Sequence, residues 1–66
     1  MKYIVWCEDL EIGFTTSCYQ TALDIANNNT EELVDSCEYP GIASLALNFC
    51  DLTEDCELII LTNKDL

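Results

Sequence analysis

Five cysteines, thirteen carboxylates and no histidine are the side chains from which any chemistry of this chain must be assembled. Acid–base catalysis near neutral pH most often uses histidine, so the usual proton carrier is missing. A nucleophile at Cys7, Cys18, Cys37, Cys50 or Cys56 would need an adjacent base or cation to form its thiolate. The side-chain cations are Lys2 and Lys64 alone, at opposite ends of the 66 residues. Gly13 and Gly41, the two glycines, build no phosphate-cradling loop. No catalytic residues and no enzymatic activity are expected.

Metal chemistry fares no better. The cysteine count is odd, no CxxC pair occurs, and no histidine completes a zinc set. Residues 51–55 open like a calcium loop, D-x-T-x-D. Cys56 then stands where the turn needs glycine, and Thr62 where the bidentate glutamate belongs. Neither a cofactor nor a metal is expected. After Lys2 the apolar run covers residues 3–7, too short for the core of an export signal. The expected location is therefore the cytoplasm. There the thiols stay reduced and serve as small core hydrophobes rather than disulfides.

The carboxylates are the remaining chemical resource. Eleven of the thirteen fall in three stretches: three in residues 8–11, four in 31–38 and four in 51–57. With two lysines the formal net charge is −11. Gripping phosphate requires Lys or Arg, so direct nucleic-acid binding is excluded, and an anionic membrane surface with it. A basic protein surface, approached by long-range steering, is the complementary partner.

The elements that position these groups follow from pattern. Residues 2–8 are rich in β-branched and aromatic side chains and read as a strand, with Tyr3, Val5 and Cys7 on one face and Ile4 and Trp6 on the other. Residues 12–15 return as a shorter strand. Ser17 and Gln20 have the spacing of a helix capping box. Behind it Cys18, Ala22 and Ile25 form an apolar stripe, and residues 27–29, all Asn, end the helix. Thr30 caps a second helix with Glu31 and Glu32 in its first turn, where the macrodipole favours negative charge, and with Leu33, Val34 and Cys37 inward. Tyr39-Pro40-Gly41 reads as a turn. A third helix starts at Ile42, with Ile42, Leu45, Ala46 and Phe49 on one side and Ala43, Leu47 and Cys50 on the other. An acidic loop over 51–55 leads to a final strand over 56–62. The fold class is α+β in the order β-β-α-α-α-β: one domain, residues 1–66, with helices on one face of a three-stranded sheet. The first strand is expected in the middle. A parallel return of the last strand would cross over right-handed.

On this frame Glu31, Asp35 and Glu38 share one helical face beside Glu32, at rises of about 6 Å per four residues. Asp51, Glu54, Asp55 and Glu57 supply a second acidic group. Like charges four apart cost roughly 0.2–0.5 kcal/mol per pair, and no lysine offsets them. An acidic ridge of this kind imitates a nucleic-acid backbone; the plainer alternative is a solvated helix face. Trp6, Phe14 and Leu47 exceed what so small a core hides, since a chain this short buries only about 60 % of its unfolded surface. They are candidates for an apolar contact, including a homodimer through the open sheet face or the third helix.

In size, charge and lack of catalytic groups the chain resembles the very small acidic inhibitors that bacteriophages and mobile elements direct against host nucleic-acid enzymes or defence complexes. The resemblance implies an inhibitor or decoy that occupies a basic, nucleic-acid-binding surface. The competing expectation is a small adaptor, antitoxin or assembly module that binds through apolar contact.

Overall fold

A computed structural model describes residues 1–65, the side chain of Asp65 excepted. Its elements are β1 (Tyr3–Cys7), β2 (Ile12–Thr16), α1 (Tyr19–Ala26), α2 (Thr30–Ser36), α3 (Pro40–Leu52), β3 (Leu58–Thr62) and a closing 3-10 turn (Asn63–Asp65). The sheet order is β2-β1-β3, so the first strand is central and the fold is α+β, as the pattern predicts. Both pairings are antiparallel, with Cys7 opposite Ile12 on one side and Leu58 on the other. β3 therefore comes back antiparallel, and the right-handed rule for parallel crossovers does not apply.

Strand alternation divides β1 cleanly. Val5 and Cys7 are fully buried against the helices, and Ile25, Leu33, Ala22 and Ala46 complete that core. Ile4 and Trp6 occupy the opposite face, which no helix covers, beside Leu61 and Ile59 of β3. Trp6 is half-buried because its ring lies over Gly13 of β2: a Cβ there would stand 3.0 Å from the ring and 3.1 Å from Ile4 Cγ2. The missing side chain makes room for the indole. Between the two strands Glu11 takes a left-handed φ of 54°, which glycine would hold without strain.

Two helix starts differ from the pattern. Ser17 and Gln20 do not form a capping box. The Ser17 hydroxyl donates to the Glu38 carboxylate and the Gln20 amide to Asp24 Oδ1, while Thr16 Oγ1 accepts the Cys18 N–H. The N-cap is Cys18, and α2 likewise begins after Asn29 rather than on a Thr30 cap. Pro40 and Gly41 belong to the first turn of α3, not to a preceding turn. Proline fits that place because its missing N–H would be unpaired there anyway, and the extended Tyr39 before it obeys the pre-proline restriction. At the end of α1 the asparagines act as expected. Asn28 is left-handed, and Asn29 N–H and Asn28 N–H donate to the carbonyls of Asp24 and Ile25, a complete Schellman arrangement.

The inward faces also shift. Val34, expected inside, is 58 % exposed, and Leu45 is 62 % exposed. α3 buries Ala43, Ala46, Phe49 and Cys50, the stripe that meets α2, α1 and the Phe14 ring at 5.9 Å. α2 folds back along α1 and is locked at its far end, where the Ser36 carbonyl accepts from Thr21 Oγ1 at 2.6 Å and from Cys18 Sγ at 3.5 Å.

Candidate functional site

The strand register gathers charge at one end of the sheet. Cys7, Ile12 and Leu58 are paired there, so the turn over residues 8–11 and the approach to β3 over residues 55–57 must emerge side by side. Glu8, Asp9 and Glu57 line one cleft with Trp6 and Ile59, and Asp9 and Asp55 both lie near the Cys56 thiol. All four carboxylates are exposed, and Ile59 is 46 % exposed. The result is an acidic cap around the edge of an indole. Such a cap attracts a cation electrostatically.

The expected ridge is not one surface. α2 stops at Ser36 and the chain turns extended at Cys37, so Glu38 leaves the helical face of Glu31 and Asp35. Glu38 is instead tied to Ser17, just beyond the Tyr3 end of the sheet, opposite the cap. Glu31, Glu32 and Asp35 remain on α2 and are exposed. Asp51 belongs to the last turn of α3 rather than to a loop, while Glu54 and Asp55 lie in the turn that follows. Glu8 and Asp9 were not among the residues singled out, although hairpin pairing of residues 2–8 with 12–15 already places them next to the start of any strand paired on the other side of β1.

The apolar candidates separate too. Leu47 is half-buried and packs against the core. Phe14, also half-buried, lines an open groove of about 450 Å³ between β2 and α3 with Ile42, Leu45 and Leu52. Trp6 stands on the uncovered sheet face at the acidic cap.

All five cysteines are free thiols with different environments. The hydrogen bonds of the Thr21 side chain and backbone hold the Cys18 thiol below its ordinary value. Burial pushes Cys37 and Cys50 up, and a hydrogen bond with Cys7, followed by burial, pushes Cys56 up. Among the described residues no three His, Cys, Asp or Glu side chains come close enough together to hold a metal ion. The calcium-like run is unsuited to one, since the Thr53 hydroxyl is buried and donates to the Phe49 carbonyl at 2.8 Å. Among the described residues no helix is long and apolar enough to cross a membrane. No protein-family model, curated protein or solved structure matches this chain.

Proposed function

We propose that the chain is a non-enzymatic acidic binding protein of the phage or mobile-element type. It acts in the cytoplasm as an inhibitor or decoy on a basic, nucleic-acid-binding surface of a host protein. The observation that carries this is the convergence of Glu8, Asp9 and Glu57 beside Trp6 and Ile59 at one end of the sheet, with Asp55 near the Cys56 thiol that Asp9 also approaches. Four carboxylates on two adjoining turns present negative charge at close spacing, and the absence of arginine and the scarcity of lysine leave that field uncompensated. Glu31, Glu32 and Asp35, exposed on α2, supply a separate group of carboxylates.

The test is capture of partners from cell lysate on the tagged chain, washed with rising salt and identified by mass spectrometry. A nucleic-acid-binding protein released at moderate salt is the expected result. Glu8→Lys with Glu57→Lys should weaken that complex by roughly a hundredfold at low salt. Glu31→Lys with Asp35→Lys, both exposed on α2, separates the α2 surface from the cap. Unchanged affinity in both double variants would end the decoy proposal.

A second reading is favoured by the exposure of Ile59 beside Trp6. An adaptor, antitoxin or self-assembling module would use this uncovered sheet face, and two copies would pair through it. In that case Trp6→Ala weakens binding more than salt does, because an aromatic anchor in a desolvated contact carries most of the affinity.

A further inference from the structure

Two of the five thiols meet where the α1–α2 hairpin closes on itself. Cys18 is the N-cap of α1 and Cys37 the C-cap of α2, and the return of α2 along α1 brings these two ends together. Cys18 Sγ lies 3.5 Å from the Ser36 carbonyl oxygen, in the peptide unit that leads into Cys37. A carbonyl oxygen stands about 3 Å from the next Cα, so the Cys18 sulfur is within about 6.5 Å of the Cys37 Cα. The Thr21 hydroxyl donates to the same carbonyl at 2.6 Å and lies within hydrogen-bonding reach of both thiols. Thr21 is fully buried, whereas Cys18 and Cys37 are partly exposed free thiols. Cys7 and Cys50, by contrast, are sealed in the core.

The geometry points to Cys18 and Cys37 as a redox pair that a low-molecular-weight disulfide converts from two thiols to an internal bridge. The two members divide the work. Thr21 holds the Cys18 thiol below its ordinary value and burial pushes Cys37 up, so near neutral pH Cys18 carries more of the attacking thiolate. Its sulfur bonds to one sulfur of the reagent, whose own S–S bond breaks and releases a thiolate that takes up a proton. Cys37 then gives its proton to water and attacks the Cys18 sulfur of the mixed disulfide. The second reagent thiolate leaves and is protonated in turn. In sum, one small disulfide and two protein thiols give two small thiols and one bridge, with two electrons passing from protein to reagent. In a reducing cytoplasm the pair rests as a dithiol, and the bridge is a transient response to oxidation. Closing it fastens the end of α2, where only Leu33 is buried, to the start of α1.

The test exposes the reduced whole chain to hydroxyethyl disulfide near neutral pH. This probe is uncharged, whereas a net charge of −11 repels anionic disulfides. Intact mass and peptide mapping should show the loss of two hydrogens, a Cys18–Cys37 link and no lasting adduct. Cys37→Ser should stop at a stable mixed disulfide on Cys18, formed at an initial rate within about twofold of the unaltered chain. Cys37→Ala repeats that trapping experiment should serine fold poorly at the site. Cys18→Ser should slow the first adduct by about tenfold. Cys56→Ser, which removes the thiol hydrogen-bonded to Cys7, should leave the bridge as it is. A link mapped to Cys7 and Cys56, a lasting adduct on Cys18 in the unaltered chain, or equal slowing by Cys18→Ser and Cys37→Ser would each overturn the assignment. None of these outcomes depends on whether the acidic cap captures a basic protein.

Discussion

At the scale of single residues, environment rather than identity separates five cysteines that look alike in the sequence. Cys18 has its thiol lowered by the Thr21 side chain and backbone, whereas Cys50 is buried and raised. A lowered thiol carries more thiolate at a given pH, so alkylation of Cys18 should begin at lower pH than that of Cys37, Cys50 or Cys56, whose thiols are raised. Mass-spectrometric mapping after brief iodoacetamide treatment near pH 7 should find Cys18 labelled before Cys37, and the buried Cys7 and Cys50 after both. Thr21→Val should slow Cys18 by about threefold as its thiol returns toward the ordinary value. Gly13 is the other residue whose role is local. Its missing Cβ is the space that the Trp6 ring fills. Gly13→Ala should displace the indole, shift its fluorescence to the red and lower stability by about 1 kcal/mol in urea unfolding. An unchanged spectrum would mean that the ring does not rest there.

Elements show how local signals were redirected by neighbours. The Ser17–Gln20 spacing is a sound capping box on paper, yet both side chains are drawn away, to Glu38 and to Asp24. Thr16, which the second strand's pattern left out, is buried and holds the Cys18 N–H at 3.1 Å. Thr16→Val should therefore cost about 1 kcal/mol, comparable to losing a cap, while Ser17→Ala, at an exposed site, should cost only a few tenths. Chemical denaturation of the two variants checks the order, and the reverse order would restore the capping box. The helical stripe of α3 was legible as apolar all round. Which part faced inward was not, because Leu45 and Phe49 are alike to a periodicity and only the position of α2 and β2 distinguishes them. α2 is the weakest helix by pattern, with only Leu33 buried among its seven residues; the Ser36 carbonyl, held by Thr21 and Cys18, fastens its end.

For the whole molecule, charge acts against compactness. A net −11 on 66 residues produces self-repulsion that folding concentrates. Raising ionic strength from about 0.01 M to about 0.1 M shortens the screening length from about 30 Å to about 10 Å. The melting temperature should rise by several degrees over that range, since each kcal/mol moves a domain of this size by about 4–8 °C. Circular dichroism melts across a sodium chloride series measure this. A flat series would mean that the carboxylates are spaced widely enough to be screened already. The same salt that stabilises the free chain should weaken its complex with a basic partner, so the two effects run in opposite directions in one titration.

The sequence by itself determined the fold class, the six main elements, the central place of the first strand and the acidic character. These rest on short-range periodicity and net charge, which survive even where neighbours redirect individual caps and turns. Tertiary structure alone decided three things. Antiparallel return of β3 set two acidic turns beside each other at the Trp6 end, because register couples residues some fifty positions apart. The extended backbone at Cys37 removed Glu38 from the ridge, because the chain must turn to enter α3 at Pro40. Asp24 became a buried carboxylate, with one oxygen unpaired among the described residues, because α2 folds back over α1, a packing choice that helical spacing does not encode.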